Sequence, residues 1–274
     1  IFEVAPVLFA TLPAGNAVDR YSRRNMAMFG QVMMGLSAIG LLLTSWFIAP
    51  VWIIYAMLLL VGTSRIFYST AVSTILPQLV PKEQFANANV WMSSSSRAAA
   101  IAGPALGGAI IGWTGTAAWA YAAALSSTMV FLAAACRIPS IRPAAAQSKR
   151  TASDLFAGFA FVRRTPIFLA AITLDMFAVF LGGAVVLLPI FAKDILHVGP
   201  AGLGWLRAAP SLGSLAMLLM LSRVGPWRRP GIALLLAVAA FGVATIGFGL
   251  SRNFGLSMLC LVLTGAFDSI SVVI

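Results

Sequence analysis

Three observations on this 274-residue chain predict an all-α, polytopic membrane protein. Hydrophobic residues make up 61% of it and charged residues only 9%, against the roughly 25% charge of soluble domains. The apolar stretches are mostly about twenty residues long, enough for a helix to cross a bilayer, and lack the two-residue alternation of a barrel strand. Between them lie short connections that hold most of the lysines and arginines.

Nine spans are expected. Segment one covers residues 1–18 and ends in a charged knot, Gly15-Asn16-Ala17-Val18-Asp19-Arg20-Tyr21-Ser22-Arg23-Arg24. Segment two is about 25–46, closed by Trp46; segment three starts at Pro50 and runs to about 76, where Pro77 and Pro81 end it. Segment four, about 86–113, begins polar and becomes apolar, and segment five follows the Thr114-Gly115-Thr116 turn from about 116 to 138. Residues 139–165 change character, with five basic residues and an alanine-rich run, and read as a cytoplasmic linker. Within it Asp154–Arg164 has the makings of a helix lying on the membrane surface. Segments six to nine are about 166–192, 201–223, 230–250 and 254–274.

Arginine concentrates in loops on the cytoplasmic side, so the knot sets the direction of segment one and, by alternation, of every later span. That orientation places thirteen of the 18 Lys and Arg inside and only Lys193 and Arg252 outside, with Arg65, Arg97 and Arg207 within spans. A missed or invented helix would swap the side of every later loop and erase this bias. The net charge of +11 sits in loops rather than on one continuous face, which argues against nucleic acid and for inner-leaflet phospholipid as the counter-charge.

Cys136 and Cys260 are far apart and in or beside apolar segments, and the single histidine, His197, has no second ligand nearby. Neither a disulfide framework, a metal site nor a cofactor is expected. The same scarcity of convergent His, Cys and carboxylates argues against a membrane enzyme. The chain opens in the middle of apolar sequence and stops inside another apolar run, so it is expected to be a piece of a longer polypeptide.

Three short echoes recur at nearly one offset. Phe2–Pro6 corresponds to Leu206–Pro210, Arg23-Arg24 to Arg228-Arg229, and Gly62–Arg65 to Gly265–Asp268, with the intervening spans in the same order. A duplicated bundle follows. The second copy of the knot, residues 221–229, keeps the basic residues and lacks the acid.

The pattern G-x-x-x-D-R-x-x-R-R, carried by Gly15, Asp19, Arg20, Arg23 and Arg24, resembles the loop between the second and third helices of the major facilitator superfamily, with Ser22 at a usual glycine. That resemblance implies two pseudo-symmetric helical bundles truncated to about nine spans. The N-terminal bundle, 1–138, would lack its first helix; the linker is 139–165; the C-terminal bundle, 166–274, would lack its last two. It also implies that the knot is a cytoplasmic gate, with Asp19 acting on the second bundle. Gly103-Pro104-Ala105-Leu106-Gly107-Gly108 resembles the G-P-x-x-G-G core found on the fifth helix of proton-driven exporters, with Ala99 where the longer pattern has a glycine. Glycines allow close helix approach and proline bends the helix, so Gly103, Pro104, Gly107 and Gly108 are expected to form a tight, pliant seal. The 76–89 linker, Leu188-Pro189 and residues 197–204 are similar to the bacterial branch that includes the enterobactin exporter.

What the resemblance implies is a monomeric secondary transporter of a bacterial inner membrane, exporting a small drug- or siderophore-like molecule in exchange for protons by alternating access. A major facilitator importer and a non-transporting membrane sensor remain the alternatives. Charges inside spans are costly and face a cavity or a partner, which singles out Glu3, Arg65, Arg97, Asp175 and Asp268. Arg65 and Asp268 share one depth, roughly 20 Å into inward-running spans. Asp175 or Asp268 is expected to take up the coupling proton with Arg65 tuning the acid it approaches, while Glu3 and Arg97 read as structural or gate-associated.

Overall fold

A computed structural model describes residues 15, 17, 21–47, 50–138, 169, 173, 184–221 and 230–273. Segment one apart from Gly15 and Ala17, the linker with its surface helix, most of the first part of segment six and the degraded second knot lie outside the described residues. The elements are α1 (Arg23–Trp46), α2 (Val51–Leu79), a short 3₁₀ turn (Lys82–Gln84), α3 (Phe85–Thr114), α4 (Ala118–Cys136), α5 (Ala184–Ile190) continued by a π-helical turn (Phe191–Ile195), α6 (Pro200–Leu221), α7 (Pro230–Leu250) and α8 (Phe254–Val273). No strand occurs among the described residues. In a bilayer a helix satisfies its own backbone, which a lone strand cannot.

Most helix ends fall within two or three residues of the sequence expectation. Among them, α2 does not stop at Pro77 but runs to Leu79. Its stop is set by Pro81: the preceding residue, Val80, is extended (φ −122°, ψ 133°), the conformation that a following proline imposes. Segment six likewise continues past 192, through the π-helical turn to Ile195. His197 then adopts a left-handed conformation (φ 50°), and the Val198 N–H donates to the Ala192 carbonyl at 2.9 Å, closing the helix end.

Five helices are long and apolar enough to cross a membrane: α1, α2 over Val51–Leu76, α4, α6 and α7 over Gly231–Leu250. The apolar part of α8, Phe254–Ile270, is shorter. Despite its 30 residues, α3 is not among the five, because Ser93–Ser96, Arg97 and a run of glycines dilute its hydropathy. The nine spans expected from sequence therefore reduce, among the described residues, to five that qualify by length and composition.

By its contacts the chain divides into two compact units, residues Ile1–Ser93 with Thr114–Lys149, and Ser94–Trp113 with Arg150–Ile274. In the first, α1 packs on α2 and on α4. Ser37 and Ser64 are wholly buried there and turn their hydroxyls onto their own helices, Ser37 to the Met33 carbonyl (2.9 Å) and Ser64 to the Val61 carbonyl (2.7 Å). Small residues of this kind allow close packing without leaving a polar group unsatisfied.

In the second unit α8 is central, packed by α6 on one side and α7 on another. Leu188, Phe191, Leu206, Phe248 and Leu261 form its apolar core, with the Phe191 and Phe248 rings 4.4 Å apart. The α6–α8 contact is backbone on backbone. A Cβ on Gly213 would collide with the Val262 carbonyl, and one on Gly265 with the Pro210 carbonyl. Large apolar side chains such as Val186, Leu236, Val243 and Leu250 point outward, as expected of helices whose solvent is lipid.

Candidate functional site

The knot is described from Tyr21 onward, with Gly15 and Ala17 before it; Asp19 and Arg20 lie outside the described residues. Arg23 and Arg24 open α1 and tie down two neighbouring helix ends. Arg23 donates from Nη1 to the Thr74 carbonyl in the last part of α2, at 2.6 Å. Arg24 donates from Nη1 to the Ile138 carbonyl just past α4, at 2.7 Å. Thr74 lies inside α2 ahead of its last turn and Ile138 just past the end of α4, so each guanidinium braces a neighbouring helix near its C-terminal end, where the helix dipole favours a cation. The start of α1 and the ends of α2 and α4 thus share one level, as alternating spans require. The Nε of both arginines is buried without a hydrogen-bond partner among the described residues.

The exporter-type stretch splits by role. A Cβ on Gly108 would stand 2.6 Å from the Pro200 carbonyl oxygen and 2.8 Å from the Gly204 Cα, and one on Gly204 would collide with the Pro104 carbonyl. Gly108 and Gly204 therefore sit where α3 and α6 touch backbone to backbone. Gly103 and Gly107 are different: a Cβ on either would meet nothing within 4 Å. In this structure the close approach to α6 falls on Gly108, with Pro104 contributing its carbonyl to the contact.

Nearer the Phe85 end of α3 the same two helices are joined by side chains. Arg97 donates from Nη1 to the Ser214 hydroxyl at 2.5 Å, and the Ser269 hydroxyl of α8 bonds to Ser214 at 2.5 Å while lying 2.9 Å from the Gly265 carbonyl. Each hydroxyl has one proton to give. The order Arg97 to Ser214 to Ser269 to the Gly265 carbonyl gives each hydroxyl one donor and one acceptor. Sequence reasoning singled out Arg97 but missed Ser214, Ser269 and Gly204. Their nearest signal was the run of small residues in α6 and α8.

Arg65 on α2, in the first unit, and Asp268 on α8, in the second, are both exposed and both make an interaction. Glu3 and Asp175 lie outside the described residues. Both cysteines are free, Cys136 exposed and Cys260 buried.

Helices long and apolar enough to cross a membrane, arginines that tie neighbouring helices together and a glycine-lined helix crossing mark a polytopic membrane protein. The family model of the Major Facilitator Superfamily matches residues 2–274, and the chain belongs to that family. It is similar to the Enterobactin exporter EntS of Shigella boydii serotype 18, with 28% identity over 268 residues covering 96% of this chain and 64% of the relative. The proteins of that name from Escherichia coli O81 and O157:H7 match with the same identity and coverage. The chain thus spans 64% of the length of these curated relatives.

Proposed function

We propose that the full-length protein is a secondary active exporter of a small, siderophore- or drug-like molecule, working by alternating access in a bacterial inner membrane. The observation that carries the proposal is the contact between Gly108 and Gly204. Two helices in backbone contact exclude solute along that stretch, yet without interlocking side chains they can tilt against one another. This is the behaviour required of a seal that closes one face while the other opens. Family membership and the likeness to proteins named as exporters support the direction.

In this reading the knot is the inner gate. Arg23 and Arg24 hold its trailing end on α2 and α4, which leaves Gly15, Asp19 and Arg20 to engage the second bundle when the inner face closes. Coupling falls to Asp175 or Asp268, with Arg65 tuning proton affinity as the bundles rock. A carboxylate in low dielectric holds its proton more tightly, and a nearby guanidinium loosens it. A membrane potential of about 100 mV supplies ~2.3 kcal/mol per charge, enough for roughly a fiftyfold gradient of a neutral cargo, so one such site is sufficient.

Everted membrane vesicles containing the full-length protein test this reading. With an acidic lumen, enterobactin, the cargo named for the relatives, or a dye-type drug should accumulate inside, and Asp175→Asn should abolish that uptake while sparing energy-independent exchange. Absence of uptake under either sign of pH gradient would overturn the exporter reading. Full uptake by both Asp175→Asn and Asp268→Asn would overturn the coupling scheme alone.

A further inference from the structure

We propose that Arg97 and Arg207 form a binding site for an anionic, oxygen-bearing ligand, a carboxylate or comparable oxyanion, on the face that α6 presents beside α3. Arg97 is a half-buried cation inside a helix, where charge is costly unless it is used. Its partner is the neutral hydroxyl of Ser214, and no acidic side chain pairs with it among the described residues. The serine line through Ser269 to the Gly265 carbonyl orients the guanidinium without neutralising it. A guanidinium has five N–H donors in a planar fork, and one bond to a serine leaves a carboxylate-shaped edge in hand.

The second cation follows from helix geometry. Arg207 precedes Ser214 by seven residues on α6, nearly the same azimuth, and roughly 10 Å along the axis. Its side chain is exposed, and Gly204 and Gly108 close the helix crossing one turn beyond it. On α3, Ser94–Ser96 and Ala98–Ala100 around Arg97 are also exposed, so space and hydroxyl groups adjoin the guanidinium. Two cations and a polar serine run make a surface suited to a carboxylate or comparable oxyanion. A phospholipid phosphate offers the same oxyanion chemistry, and the two sources separate by experiment. That the ligand is the transported cargo rests on the exporter reading; that the site binds anions does not.

The test is equilibrium binding to the full-length protein in phosphatidylcholine nanodiscs, followed by tryptophan quenching with 4-nitrobenzoate and its uncharged analogue 4-nitrobenzamide. The acid should bind saturably and at least tenfold more tightly than the amide, a ratio equivalent to ~1.4 kcal/mol. Arg97→Gln and Arg207→Gln should each weaken the acid at least tenfold and leave the amide unchanged. Ser214→Asp, which keeps both arginines and places a carboxylate beside Arg97, should abolish binding of the acid even if Arg97→Gln fails to fold. Adding phosphatidylglycerol to the discs assigns the source: competition with the acid identifies a lipid headgroup as occupant, and no competition identifies a free anion. Equal affinity for acid and amide, or unchanged affinity for the acid in Ser214→Asp, overturns the proposal. Anion binding without solute movement in the vesicle experiment would sink the exporter reading and leave this site standing.

Discussion

The two ends of the α3–α6 pair are held together in opposite ways. At the Thr114 end, outermost on the proposed orientation, Gly108 and Gly204 bring the backbones into contact and leave no room even for a methyl group. At the other end, seven residues before Pro104, a long cationic side chain reaches across to Ser214. One end is a dry seam whose strength comes from close packing. The other is polar, and what holds it is a hydrogen bond that a ligand can join. A single helix can therefore serve a seal and a binding face at once, provided that its sequence turns from serine and arginine to glycine and alanine along its length.

The largest effect expected from breaking this contrast is at the seam. Gly204→Val sets branched carbon against the Pro104 carbonyl, and overpacking against rigid backbone costs about 1–3 kcal/mol. The loss should appear as a lowered Tm in detergent, followed by scanning fluorimetry, and as lost transport. A Tm equal to wild type would mean that the two backbones do not meet there. At the polar end the signs separate. Arg97→Met keeps length and removes charge, so the Tm should stay within the equivalent of ~1 kcal/mol while binding of the nitrobenzoate probe disappears.

Next comes the knot, where Arg24 acts on a backbone carbonyl rather than a hydroxyl. Arg24→Ala should lower stability by about 1 kcal/mol through loss of the tie to Ile138 just past α4, and Arg24→Lys should restore most of it, since one donor suffices there. Equal Tm values for all three proteins would refute that role. The smallest effect belongs to Gly107→Ala. With nothing within 4 Å of the new methyl group, stability should change by less than about 1 kcal/mol and transport should persist. A loss comparable to that of Gly204→Val would show that Gly107 also meets a helix during the transport cycle.

Much of this organisation was legible in the residues alone. The limits of α1, α4 and α6 to α8 followed from apolar length and bounding polar residues; of the five residues that carry the knot pattern, Gly15, Arg23 and Arg24 are among those described and Asp19 and Arg20 are not. The end of α2 was misjudged by a few residues, since Pro77 is compatible with a final helical turn whereas the extended residue before Pro81 is not. The glycine motif was legible as a motif, but not its division of labour: Gly103, Gly107 and Gly108 look alike in sequence, and only Gly108 faces α6 at the crossing. Arg97 stood out as a charge in a span, while Ser214 and Ser269 did not, because serine is unremarkable until its partner is known.

What the sequence by itself determined is the set of properties that each twenty-residue stretch holds alone: its preference for lipid, its helical state and, through flanking arginines, the direction expected of it. These depend on transfer from water to hydrocarbon and on local charge, so no other part of the chain need be consulted. Only the tertiary structure decided which residue of a helix meets which neighbour. Arg97 and Ser214 are 117 positions apart, and Ser214 and Ser269 are 55 apart. Lipid offers no hydrophobic drive for one apolar helix face over another, so azimuth and crossing point are settled by small residues, hydrogen bonds and shape distributed over several helices at once.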